Sequence, residues 1–212
     1  MLLLTGAAGY VDAVSYLALG RVFTANMTGN TVLFGLAIVE GDGGAVVRTA
    51  LALGAFIAGT AIGAWLVHRN EAPAHWPRGV TLALGFECVL LAALAGDRSS
   101  MLIGRVALAS LAMGIQSAAA RRLDVFGLAT TFMTGTITSL VSLIARHGIG
   151  PTAMGHGKRV LATAWAVYVL GAMAAGGAMR VVPGGALLPP VAIVLVVVVI
   201  AAARFWRGGY DA

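Results

Sequence analysis

Two acids lie inside long apolar stretches of the chain. Asp12 stands in Gly9-Tyr-Val-Asp-Ala13 and Glu87 in Gly85-Phe-Glu-Cys88. A charged side chain at mid-bilayer costs about 2.5–3.5 kcal/mol on insertion scales, so an acid kept there faces a bundle interior. It can carry a proton, bind a cation or pair with an arginine. Each acid also fits a plainer role, as a buried neutral or ion-paired group that only fixes packing. Arg105 is a possible partner for either, but it lies about a turn inside its segment, where a long side chain snorkels to the interface.

The second candidate is a pair of polar runs. Thr24-Ala-Asn-Met-Thr-Gly-Asn-Thr31 and Thr130-Thr-Phe-Met-Thr-Gly-Thr-Ile137 share Met-Thr-Gly and align without gaps. Non-helical backbone at membrane depth is tolerated only where protein or a water-filled cavity supplies partners. Transporters use such breaks to build midplane sites from half-helix N-termini and unwound carbonyls. The hydroxyls of Thr24, Thr28, Thr31, Thr134, Thr136 and Thr138 would line a small-solute or ion site. So would the amides of Asn26 and Asn30, with Gly29 and Gly135 beside them. Any single threonine fits an interhelical hydrogen bond, and any single glycine a close contact. The recurrence of the whole motif at one place in each half favours a site. Gln116 and Ser117 occupy the repeat position nearest Asp12, so the second half lacks the acid and the site is asymmetric.

These groups need elements that hold them in lipid. Hydrophobic types make up 59% of the 212 residues and charged types 10%, against roughly 25% charged in a soluble domain. Too little polar surface remains to cover a water-soluble globule. Six segments read as spanning helices of the length a bilayer requires: 2–20, 46–67, 79–95, 101–119, 160–179 and 187–203. Two more, 22–39 and 125–145, each begin with a polar run. The expected fold is therefore all-α: one polytopic transmembrane bundle over residues 1–212, of about six crossings plus two broken or re-entrant Met-Thr-Gly segments.

The chain also reads as a duplication. Gly9 precedes the first motif much as Gly114 precedes the second, and Gly59 and Gly63 correspond to Gly171 and Ala175. The halves are 1–97 and 98–212. If the motif segments dip and return, each half crosses three times and the halves are inverted. Arg69, Arg78, Arg121, Arg122, Arg146, Lys158, Arg159, Arg204 and Arg207 then fall on one side, and Arg21, Arg48, Arg98 and Arg180 on the other, nine against four. If both motif segments cross, the bias vanishes. The positive-inside rule thus favours six crossings with cytoplasmic termini.

Other chemistry is not indicated. The net charge of +6 comes from basic residues at segment ends and not from a stripe suited to nucleic acid. The lone Cys88 has no disulfide partner, the four histidines have no ligand spacing, and no catalytic or nucleotide-binding motif is present. No enzyme activity, metal or cofactor is expected. The expected partners are the bilayer, a small solute or ion such as the proton and, through the glycine-rich helix faces, a second copy of the chain.

Gly9-Tyr-Val-Asp-Ala-Val-Ser-Tyr16, Gly20-Arg-Val-Phe-Thr-Ala-Asn-Met-Thr-Gly-Asn-Thr31, Met113-Gly-Ile-Gln-Ser-Ala-Ala-Ala-Arg-Arg122 and the second motif resemble the blocks of the YoaK-like family, over nearly the whole chain. That family consists of bacterial inner-membrane proteins of unknown function. The resemblance implies a bacterial multi-pass protein of about this length and brings no substrate. Relative to the family, the expectation is that this chain lacks a short polar leader before the first helix. The function expected from the residues is a small secondary transporter or permease with its site between the two motif segments. The competing expectation is a non-transporting scaffold or sensor.

Overall fold

The computed structural model describes residues 1–68, 76–97, 101–123, 133–147, 155–182 and 186–205. Eight helices make up nearly all of this: α1 Leu2–Ala18, α2 Met27–Glu40, α3 Gly43–His68, α4 Arg78–Gly96, α5 Leu102–Leu123, α6 Met133–His147, α7 His156–Val181 and α8 Leu188–Phe205. No strand occurs among the described residues. Helices α3, α4, α5, α7 and α8 are long and apolar enough to cross a membrane. α1 is apolar at 17 residues, or about 26 Å at 1.5 Å per residue. The molecule is an all-helical, polytopic membrane bundle.

Its apolar side chains point both ways. Leu4, Leu84, Leu91, Met113 and Ile115 are buried in a common core, while Val39, Ile57, Leu170, Met173 and Val199 stand exposed on the outer faces. A soluble domain could not leave so many large apolar groups in water. Lipid is the solvent that suits such an exterior.

Packing is led by two helix pairs, α1 on α7 and α3 on α5. Both depend on glycine. A methyl group on Gly59 would strike the carbonyl of Leu111, and one on Gly171 the carbonyl of Gly6. Small residues let helix backbones approach this closely, and dispersion contacts replace the hydrophobic drive that lipid cannot supply.

The two ends of the bundle are easily told apart. The last turns of α1, α4 and α7 and the starts of α5 and α8 surround one cavity; this is the cavity end. At the far end, Trp76, just before α4, stacks on Phe205 at the end of α8, with centroids 5.8 Å apart. Hence α1, α4 and α7 run toward the cavity end, and α5 and α8 run away from it. α3 also runs away, because Arg48 near its start donates from Nε to the carbonyl of Gly20 at 3.2 Å, just past the end of α1.

Candidate functional site

α1 ends at Ala18, and Gly20 (φ 82°) and Arg21 (φ 60°) turn the chain back. Left-handed backbone suits glycine and strains an arginine, so this turn is held by its surroundings. Residues 19–26 then run back alongside α1 without helical structure. Phe23 stacks on Tyr16 at 5.3 Å, and the Thr24 hydroxyl meets Ser15 Oγ at 3.1 Å. The descent stops at Asp12. Its Oδ1 accepts backbone N–H bonds from Thr24 at 2.8 Å, Ala25 at 2.7 Å and, more weakly, Asn26 at 3.4 Å. Its Oδ2 accepts the Tyr168 hydroxyl of α7 at 2.6 Å.

From that depth α2 climbs again. Asn26 caps it by accepting from the Gly29 N–H. One turn on, Asn30 clasps Phe23, accepting from its N–H at 2.8 Å and donating Nδ2 to its carbonyl. Phe23 lies beside Tyr16, one turn above Asp12 on α1, so α2 rises parallel to α1. It stops at Gly41, a left-handed C-cap, and α3 begins at Gly43. The 14 residues of α2 span about 21 Å, short of the roughly 30 Å hydrocarbon core.

Asp12 is thus a strut. Three peptide N–H groups that would otherwise be orphaned at membrane depth are satisfied by one carboxylate, and Tyr168 ties it to α7. Asp12 is only 3% exposed. Thr24 and Asn30 are fully buried within the same network, and Asn26 is half-buried at its edge. The Met-Thr-Gly tripeptide is not itself the break. It forms the first turn of α2 and, in the second half, of α6. Thr28 faces outward and Gly29 packs against the Phe23 ring.

The second motif is placed differently. Thr134 and Gly135 are exposed, and only Thr136 of that turn is buried. Thr130 and its neighbours fall outside the described residues. Ser117 lines a cleft of about 390 Å³ with Phe56, Thr60, His68, Arg121 and Arg122. Gln116 is buried between α5 and α1 and donates to the carbonyl of Leu4 at 3.1 Å.

Glu87 is a separate feature. It is fully buried on the face of α4 that carries Leu84 and Leu91 into the core, and neither carboxyl oxygen has a hydrogen-bond partner. Beside it, Cys88 Sγ approaches the Val191 carbonyl of α8 at 3.8 Å. Among the described residues no group of three or more metal-ligating side chains forms. Tyr168 and Ser15 were not among the expected site residues. The signal for Tyr168 was its place one turn before Gly171, as Phe56 stands one turn before Gly59.

A sequence profile described as a protein of unknown function (DUF1275) matches residues 1–200. The chain belongs to that family. It is also 42% identical over 147 residues to the UPF0700 transmembrane protein YoaK of Bacillus subtilis (strain 168). That match covers 68% of this chain and 65% of the relative, slightly less than two thirds of its length. No solved structure matches. The resemblance drawn from the sequence blocks holds, and with the apolar helices it identifies a multi-pass membrane protein of the DUF1275 family.

Proposed function

We propose that this DUF1275 protein is a proton-coupled secondary transporter for a small solute in the bacterial inner membrane. The observation that carries the reading is Glu87. A fully buried acid with both oxygens unpartnered contributes no hydrogen bond to the fold and costs several kcal/mol when charged. A residue of this kind is explained by taking up and releasing a proton as the helices around it move.

The architecture supports the same reading. Exchanging α1–α4 with α5–α8 maps α1·α7 onto α5·α3, α2·α3 onto α6·α7 and α1·α8 onto α5·α4, and leaves α4·α8 paired with itself. This favours two repeats, 1–97 and 98–212. α2 starts at the depth of Asp12 and returns to the end where α1 finished, which favours three crossings per half and an inverted relation. Inverted repeats with half-helices at mid-membrane are a common frame for alternating access. Arg78, Arg121, Arg122, Lys158, Arg159 and Arg204 lie at the far end by their helix positions, against Arg21, Arg48 and Arg180 at the cavity end, so the positive-inside rule favours a cytoplasmic far end.

Proteoliposomes containing a trapped pH dye test the reading. Challenged in turn with amines, amino acids and monocarboxylates, wild-type vesicles are expected to move protons with one class, and Glu87→Gln vesicles to lose that movement. Solute-driven proton movement no greater than in empty vesicles, or undiminished in Glu87→Gln, would sink it. The second reading, a non-transporting scaffold, draws on Asp12, whose hydrogen bonds already engage both of its oxygens.

A further inference from the structure

The cavity at the cavity end belongs to neither Asp12 nor Glu87. It measures about 790 Å³ and is walled by α1, α4, α5, α7 and α8, so both halves contribute. Most of its surface is apolar, from residues such as Val14, Ala18, Met179 and Leu187. Two charged residues line it, Arg105 and Asp97. The sequence places Arg105 where an arginine would snorkel outward. The structure instead turns it toward this space, and its Nε is buried without a hydrogen-bond partner.

A guanidinium offers a planar fork of donors that matches a carboxylate. A buried donor on that fork without a partner costs free energy until one arrives. The volume falls within the range of small-molecule sites, which are mainly apolar with a few placed polar groups. Arg105 is the one cation among the described lining residues and the rest of the wall is mainly apolar, which suits a single carboxylate with an apolar tail.

We infer that this cavity binds a small monocarboxylate, its carboxylate on Arg105 and its apolar tail among Val14, Met179 and Leu187. The inference names a substrate class for the transport reading and rests on that reading only for the step from binding to movement. The cavity opens between the halves at the end away from Arg78, Arg121, Arg122 and Arg204. A solute held there would touch helices of both repeats, whose relative motion alternating access requires.

Calorimetric titration of the purified, detergent-solubilised protein tests the site without requiring flux. Hexanoate is the probe and hexanamide its uncharged counterpart. Wild type is expected to bind hexanoate and not the amide. Arg105→Gln should weaken hexanoate binding about tenfold or more, the range for a lost charged hydrogen bond. Arg105→Lys should retain part of it, and Leu187→Trp should block the tail. Equal binding of acid and amide, or an unchanged affinity in a well-folded Arg105→Gln, would overturn the assignment. Repeating the titration in nanodiscs with and without phosphatidylglycerol separates the two sources of an anionic group. Hexanoate binding that survives anionic lipid supports a free solute, and binding abolished by it would give Arg105 to a lipid headgroup. Arg105-dependent binding without solute-driven proton movement would keep the site and remove the transport reading. Proton movement with no carboxylate binding would do the reverse.

Discussion

At the scale of single residues, the two buried acids make opposite predictions. Asp12 satisfies three peptide N–H groups and the Tyr168 hydroxyl. Asp12→Ala therefore leaves several buried donors unmade, at about 1–3 kcal/mol each. It should lower the unfolding temperature in detergent sharply, and Tyr168→Phe should lower it by less. The two losses share one bond, so Tyr168→Phe should cost little once Asp12 is gone; strict additivity would refute the strut. Glu87 makes no bond to lose. Glu87→Leu replaces an unpartnered acid with an apolar side chain that suits the same core, so stability should hold or rise while proton movement disappears. A marked fall in the unfolding temperature of Glu87→Leu would show that the acid has a structural partner. The sequence made both acids visible, because a carboxyl inside an apolar run stands out. It did not separate their roles, since the difference lies in what faces them across 12 residues of chain for Thr24 and 156 for Tyr168.

At the scale of elements, glycine contact decides which helices pair. Gly59 and Gly171 press against the carbonyls of Leu111 and Gly6, while Gly54 on α3 has open space around it. Gly59→Ala and Gly171→Ala should each reduce the fraction of monodisperse protein that survives heating, as judged by gel filtration. Gly54→Ala should be neutral or mildly stabilising, because alanine is the better helix former by about 1 kcal/mol. Equal losses at all three positions would mean that helix propensity, not backbone approach, sets the result. The helices themselves were legible from hydropathy, since a bilayer demands long apolar runs and loops carry the polar punctuation. Their ends shifted by a few residues, chiefly because helices project beyond the apolar run. The course of 19–26 was not legible. Its reversal depends on Asp12, Asn30 and Arg48 meeting backbone groups of the turn, and nothing in local composition distinguishes a segment that dips from one that crosses.

At the scale of the whole molecule, everything turns on where α2 and α6 leave the chain. If α2 crosses, the ends of its segment lie on opposite faces, and four crossings per half would make the repeats parallel. If it dips, Arg21 and Asp42 share a face. The hydrogen bonds around Asp12 support the dip, because α2 starts beside the middle of α1 and rises in the same direction. For the second half, α5 ends at the far end and α7 must begin there to run toward the cavity end, so Arg122 and His156 should also share a face. Single cysteines at these four positions, placed in a Cys88→Ser background, can be labelled with a membrane-impermeant maleimide from either side of oriented vesicles. Positions 21 and 42 should label together from one side, and 122 and 156 together from the other. The two pairs act as independent tests of the halves. A split between 21 and 42 alone would contradict the Arg48–Gly20 bond that holds the start of α3 beside the end of α1 and would end the inverted relation, since the halves would then cross an unequal number of times. A split in both pairs would restore eight crossings and parallel repeats. The cavity bearing Arg105 would then need a different account of how a solute reaches the far side.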